Sequence, residues 1–496
     1  MEYNPENLFE LRDGRYITSP EISDKMRYIK SVHPETPWQD ENTSYSWDEA
    51  GMADLFSECY KSDTRYCPEA KSWYTYDGGV WKQDAGALLV SRKISEFGRL
   101  MVLYCGEIQD ESTRKEYLKF VSRMGDRRFR DRLLKDAASY MMINASEFDS
   151  NPYLLNCVNG TYDLKNMCFR PHRWEDLLTM QTNFIYTVMD IPRCERWEKF
   201  IDEVTEGDKE KARYIQKALG YSLLGENREE CMFILHGKTT RNGKSTLLDA
   251  IQHLLGTYAT VTPVELICRN NSRTRDENAA SPTLAQLKGK RFVTMAESDT
   301  SGKLDEAAIK QYTGGEAVKG RELYQMPITF VPQFTMWLSC NDLPAVRDKS
   351  IFASERLKVI EFNKHFSQSE QDKTLKTLFH SEEAMPGIFT WLTVGLLNYK
   401  REGLSMSSGL RKVVAEYEKD NDLVLQFLEE KCEKIELGGT KAKYLYDAYK
   451  IWCKSGGYYV CSVKKFIAEL LAHPEWCKGK SILDGVAKMN GIKLRG

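Results

Sequence analysis

No stretch of this 496-residue chain approaches the roughly 18 consecutive apolar residues that a membrane helix requires. Met1 runs into the polar EYNPEN instead of a hydrophobic signal core, so the sequence reads as cytoplasmic, with no membrane partner. The thirteen cysteines are odd in number and scattered, with no C-x-x-C pair, which argues against a zinc knuckle or a disulfide framework and for reduced, buried thiols. A charge excess is lacking as well. Lys plus Arg total 70 against 72 for Asp plus Glu, so any contact with nucleic acid has to come from local basic patches. Repeats of about 20 to 50 residues and low-complexity tracts are absent, which excludes a solenoid or a tethered tail.

What is present is ordinary globular composition, 42% hydrophobic and 29% charged, in a length that suits about three domains. Residues 1–50 are polar and Pro-interrupted and read as an arm or partner segment with weak helical periodicity. Residues 51–205 are mostly helical in period, with two turn-marked β elements, SWYTYDGGVW around Gly78 and Gly79 and VNGTYDL around Asn159-Gly160. In a domain read at 206–400, strands and helices alternate from about 206 to 362, the pattern of an α/β sheet with crossover helices. Candidate strands at 232–235, 292–296, 334–339 and 357–362 are short apolar runs, as expected for strands covered on both faces. A helical stretch, GIFTWLTVGLLNYKREG, then stops at Gly403, and residues 401–496 form a last domain.

The segment CMFILHGKTTRNGKSTLLDAIQHLL carries the most informative chemistry. An apolar strand enters a loop with Gly237, Asn242 and Gly243, followed by Lys244, Ser245 and Thr246 and a helix with apolar residues at helical spacing, the P-loop arrangement. Triphosphate needs this pattern because small residues let backbone N–H groups close on its oxygens at a helix N-terminus, while a Lys meets the β/γ-phosphates and a hydroxyl meets Mg²⁺. The loop is one residue longer than the usual spacing, so Lys238 stands where the first Gly is expected. A P-loop calls for an acid at the end of a second strand, and RFVTMAESD supplies Glu297, with Asp299 two positions on. A further strand, FTMWLS, leads to Asn341, placed to orient water or sense the γ-phosphate. The segment GGEAVKGRELYQMPITF reads as a hairpin with a basic tip at Lys319-Gly320-Arg321.

In this order RNGKST, ASPTLAQLKGKRFVTMAESD, LDEAAIKQYTGGEAVKGRELYQMPITFVPQFTMWLSCNDLP and ERLKVIEF resemble the superfamily 3 helicases of phages, plasmids and satellite elements, hexameric AAA+ motors of DNA replication. The resemblance implies an α/β AAA+ P-loop NTPase core with an α-rich N-terminal domain and a C-terminal winged-helix-like domain. It implies ATP and Mg²⁺ as cofactors, Gly237, Asn242, Gly243, Lys244, Ser245 and Thr246 around the nucleotide, and Ser245 and Glu297 at the metal. Glu297 and Asp299 would act on the hydrolytic water, Asn341 as sensor, and Arg356 as a finger reaching the neighbouring subunit's site, although Glu355 replaces the first of the usual two arginines. The hairpin with Lys319 and Arg321 would grip single-stranded DNA. The partners implied are single-stranded and forked DNA and further copies of the chain in a hexameric ring. Localisation would be the cytoplasm of a bacterial or phage-infected cell. Residues 1–60 are too short for a primase domain, so priming is expected from a separate primase. The alternative function is a P-loop ATPase that remodels or loads replication proteins without unwinding DNA.

Two flanking features stay open at this level. Residues 113–135 hold nine Lys or Arg against three acids at helical period, and suit DNA, a neighbouring subunit or simple solvation. Near the C-terminus, YLYDAYKIWCKSGGYYVCSVKKFIAELL reads as helix, turn, a strand-like YYV and a helix that Ser462 could cap. Lys464 and Lys465 would open that last helix as DNA contacts, with subunit packing as the rival role.

Overall fold

Four of the apolar runs become strands of a five-stranded sheet in the computed structural model. The structure describes residues 9–12, 15–18, 20–32, 45–187, 192–269, 282–296, 303–321, 327–346, 348–483 and 486–495. Strands β1 (Met232–His236), β2 (Ala259–Val261), β3 (Phe292–Ala296), β4 (Thr335–Cys340) and β5 (Leu357–Glu361) lie in the order β2-β3-β4-β1-β5, all parallel. The edge strand β2 lacks a sequence signal, because its three residues are too short and too exposed to form an apolar run. Alternate residues face opposite sides, and both sides are covered. Phe233, Leu235, Trp337 and Ile360 join one cluster, whereas Met232, Ile234, Met295 and Leu338 join the other.

The first cluster is closed by helices α1 (Lys209–Tyr221), α2 (Lys244–Leu255) and α3 (Ala384–Glu402). Gly403 ends α3 at a φ of +67°, a conformation that spares glycine the usual side-chain clash. Leu155, Tyr162, Trp197 and Val204 belong to this cluster too, so these parts of the 51–205 segment pack with the sheet, whereas Trp174 and Leu177 pack against Cys67 and Trp81 earlier in the segment. Arg291 holds this junction: it is buried, donates to Leu223 O and Leu154 O, and lies over the Tyr258 ring at 4.8 Å.

The N-terminal helices Glu49–Tyr60, Leu88–Tyr104, Glu111–Val121 and Arg127–Tyr140 surround Phe56, Phe97, Tyr117 and Phe129, beside a three-stranded antiparallel sheet. The weak helicity read for residues 1–50 understates one piece. Pro20–Val32 is a helix with Lys25 and Ile29 buried, begun by a proline whose fixed φ suits a first turn.

The C-terminal segment runs helix Leu423–Lys431, strand Cys432–Lys441, helices Ala442–Ser455 and Val463–Leu471, then strands Gly479–Leu483 and Val486–Leu494, with the last strand central in its sheet. The strand read at YYV does not form. Tyr458 instead stacks on Trp452 at 5.1 Å and Tyr446 donates to Cys461 O, which makes this stretch a connector between two helices.

Candidate active site

Because the sheet is parallel, His236, Ala296, Cys340 and Glu361 finish at one edge, and the segments that follow converge there. This is where α/β sheets bind ligands, outside the carboxyl ends of their strands. The phosphate loop 237–243 leaves β1, and Lys244 opens α2 with Gly243 as its N-cap at a φ of +87°. A Cβ at Gly243 would stand 2.5 Å from Val204 Cγ1, so both conformation and space demand glycine. Gly237 is required for space alone: a Cβ there would meet Asn242 Nδ2 at 2.3 Å and Phe362 O at 2.6 Å. The extra loop residue is absorbed at Arg241, whose φ is +59°.

Lys244 is buried, and its ammonium donates to Gly237 O and to Asn341 Oδ1, both at 3.1 Å. Burial lowers its pKa, since no carboxylate among the described residues offsets the lost water. Asn242 is buried and donates to Thr239 O at 2.6 Å, holding the loop's bend. No backbone N–H from Lys238 to Gly243 donates to another protein group among the described residues, so the loop keeps unspent donors at the start of a helix, the requirement for an anion site. Ser245 is exposed and Thr246 half-exposed in the first helical turn. A buried cation, free loop donors and an exposed hydroxyl fit a Mg²⁺-bound triphosphate.

Glu297 and Asp299 lie outside the described residues; the strand leading to them ends at Ala296, in register with Ser339 of β4. Arg356 precedes β5 at the opposite edge of the sheet. It donates to Glu230 Oε2 at 2.5 Å and Thr313 Oγ1 at 2.6 Å, so in the single chain it is paired and remote from its own phosphate loop.

The hairpin forms from Val318–Gly320 and Ile328–Phe330. Lys319 stands on its arm, opposite Thr329, and not at its tip, because pairing continues through Gly320; Arg321 follows, and both cations are exposed. Lys464 and Lys465 are exposed in the first turn of Val463–Leu471, which Ser462 caps by accepting from Lys465 N, while Lys465 Nζ also pairs with Glu469 at 3.6 Å.

Sequence reasoning missed the residues that brace the loop. His365 Nδ1 lies 2.9 Å from Thr240 O, and Phe366 N donates to Arg241 O at 2.9 Å, contacts that no local spacing announces. His236 is buried at the end of β1, with Nδ1 3.8 Å from Glu361 Oε1. Burial holds its pKa down, against the pull of Glu361.

Comparison with known proteins gives similarity in separate segments. Residues 53–206 match a family described as D5 N terminal like, 235–356 a family of unknown function, and 419–481 a family described as poxvirus D5 protein-like. A protein of Acanthamoeba polyphaga mimivirus named "Putative helicase L207/L206" is 27% identical over 477 residues, covering 87% of this chain and 48% of that protein. A similarly named protein, 121R of Invertebrate iridescent virus 3, is 22% identical, covering 61% of this chain and 35% of its own length. Fowlpox virus "Primase D5" is 25% identical, covering 47% and 30%. The chain thus spans about half the length, or less, of these curated relatives. Among solved structures, the apo NrS-1 C-terminal region covers 90% of this chain and 99% of its own, at 10% identity and a TM-score of 0.48. The chain therefore carries D5-type segments at both ends and resembles DNA-virus proteins that bear helicase and primase names.

Proposed function

We propose that this chain is an ATP-dependent DNA helicase, a ring-forming motor of the superfamily 3, AAA+ type that separates strands during replication of a viral or mobile element. The observation that carries the reading is Lys244, which bridges the phosphate loop and Asn341 from a buried position. The parallel sheet, with the loop leaving β1, Asn341 leaving β4 beside it and Glu297 following β3 beyond, supports an AAA+ core. The C-terminal order of helix, strand, two helices and a hairpin supports a winged-helix-like module. The helicase names of the relatives support DNA as the partner, in the cytoplasm of an infected host cell.

In this mechanism the loop N–H groups and Lys244 would bind the β/γ-phosphates, and the hydroxyl of Ser245, with Glu297, would hold Mg²⁺. The metal held there would supply charge neutralisation. Glu297, with Asp299, takes the proton of the attacking water, and Asn341 orients that water. Arg356 leaves Glu230 and enters the site of an adjacent copy, where its guanidinium stabilises charge on the transferred phosphoryl group. A hexamer places one such site between each pair of subunits. Helix Glu306–Thr313 ends at the Arg356 contact, and a short turn after Gly314 leads to the hairpin strand at Val318, so movement of Arg356 would reach Lys319 and Arg321 through Thr313.

The test is unwinding of a forked duplex by the native chain and by Lys244→Ala at matched salt. Strand separation by the native chain alone is expected. Hydrolysis without separation by the native chain would refute unwinding and favour the remodelling ATPase, and stimulation of hydrolysis by single-stranded DNA separates the two.

A further inference from the structure

The nine cations of residues 113–135 contrast with the rest of the chain, where 61 cations meet 69 acids. The structure gathers them on helices Glu111–Val121 and Arg127–Tyr140 and on the turn between them. Lys115 and Lys119 are one helical turn apart on the first helix. Arg128, Arg132 and Lys135, at spacings of four and three, share a face of the second, because residues so spaced on a helix are neighbours. Phe129, Leu133 and Ala137 take the opposite, buried side.

Two of the arginines are fixed in place. Arg123 lies over the Phe129 ring at 4.5 Å, and both Arg123 and Arg132 donate to one carboxylate, Glu49, at 2.8 and 3.0 Å. One acid thus orients two guanidiniums without neutralising both, and each remains about half exposed. Lys119, Arg128 and Lys135 are exposed and form no ion pair with any described residue. Phe129 is buried and Phe120 half-buried beside Arg123, so the face offers forked cations and no aromatic platform between them. Single-strand binders stack bases on such platforms, whereas a duplex presents mainly its phosphates.

We propose that this face of the N-terminal helices binds the phosphate backbone of duplex DNA, as a second contact separate from the phosphate loop and from the hairpin of Lys319. The proposal rests on the reading of this chain as a DNA-acting protein. Arg123 and Arg132 supply oriented forks, and Lys119, Arg128 and Lys135 supply unpaired charge along the two helices.

The test uses the full chain with Lys119→Glu, Arg128→Glu and Lys135→Glu combined. Binding to labelled blunt duplex, fork and single strand is measured by fluorescence anisotropy from about 0.05 to 0.3 M salt. Three lost phosphate contacts should flatten the slope of log K against log salt by about 2 to 3, with at least about tenfold weaker duplex and fork binding. Single-strand binding, DNA-free ATP hydrolysis and thermal unfolding should not change, and the exchange variant Lys119→Arg, Arg128→Lys, Lys135→Arg should bind duplex as the native chain does. An unchanged slope for duplex overturns the proposal, as does a loss confined to single strands. Dissociation of the oligomer in sedimentation would assign the face to a neighbouring subunit and overturn it too. A native chain that binds no DNA of any form sinks the helicase reading together with this one; a native chain that unwinds forks beside a variant with an unchanged slope sinks this one alone.

Discussion

The ammonium of Lys244 sits 3.1 Å from Asn341 Oδ1, joining the end of β4 to the phosphate loop of the neighbouring β1. On the proposed reading an arriving γ-phosphate would compete with Asn341 for this cation, which would couple nucleotide and Asn341 through one proton donor. The segment beyond Asn341 runs to the C-terminal part of the chain: Tyr417 donates its hydroxyl proton to Pro344 O, Val346 N donates to Asn421 Oδ1 at 2.7 Å, and Lys349 pairs with Asp422 at 2.6 Å.

Lys244→Ala and Asn341→Ala should therefore fail differently. Loss of Lys244 removes the buried cation that would meet the phosphates, and nucleotide binding should fall below detection in equilibrium dialysis. Loss of Asn341 leaves the cation in place, so binding should persist while kcat falls by about 10² in steady-state hydrolysis, the scale of a group that positions the attacking water. Equal loss of affinity in both variants would remove Asn341 from the hydrolytic step.

Gly243→Ala tests the loop itself. The φ of +87° and the 2.5 Å approach to Val204 Cγ1 both oppose a methyl group, and such overpacking costs about 1–3 kcal/mol. The variant should unfold several degrees lower in calorimetry and bind nucleotide weakly. Pairing it with Val204→Ala should recover part of the stability, because the second change removes the clashing atom but leaves the strained φ.

The parts legible in the sequence are the ones whose cause is local. Met232–His236, the loop and α2 are contiguous, so strand, glycine and lysine could be read together. Helix Pro20–Val32 was underread because its core positions, such as Lys25 and Ile29, include a lysine, which becomes buried only by reaching Asp63 and the Tyr60 ring. The aromatic YYV suggests a strand by propensity, yet Trp452, in the last turn of the preceding helix, takes Tyr458 as a stacking partner instead. The in-chain partners of Arg356 lie 126 and 43 residues away, and the brace of Thr240 by His365 spans 125, distances at which no spacing rule operates.

Arg356 allows a test of sites shared between copies. Arg356→Ala should retain nucleotide binding, since Arg356 lies at the far edge of the sheet from its own loop, but hydrolysis should fall by about 10³ or more, the scale of a missing finger. Its in-chain bonds to Glu230 and Thr313 are also lost, so the comparison is Glu230→Gln, which removes the ion pair and should leave hydrolysis near native. Mixing Arg356→Ala with Lys244→Ala should restore part of the activity, because mixed rings contain some sites with both groups intact. No recovery on mixing, with oligomers confirmed by sedimentation, would rule out a role in trans.

Acid should weaken the tie between the sheet and the C-terminal part. Burial pushes the Asp422 carboxyl up, but the Lys349 ammonium at 2.6 Å and the Leu425 N–H outweigh it, leaving the pKa lowered. Nearby, burial likewise opposes ionisation of Asp348, yet bonds from Ser350 and Lys310 bring it to about 2. A folded pKa below the unfolded value of about 3.9 means stability present above that value and lost as pH falls through the folded one. Lys349→Met should cost about 2 kcal/mol at pH 7, by removing the lysine donor of a buried carboxylate whose remaining side-chain partner is His473, with Nε2 at 2.9 Å. The gap in Tm between native and variant should then narrow as pH falls through the lowered folded pKa of Asp422. A gap that does not narrow at any acid pH where both proteins stay folded would show that Lys349 acts by packing and not by its charge.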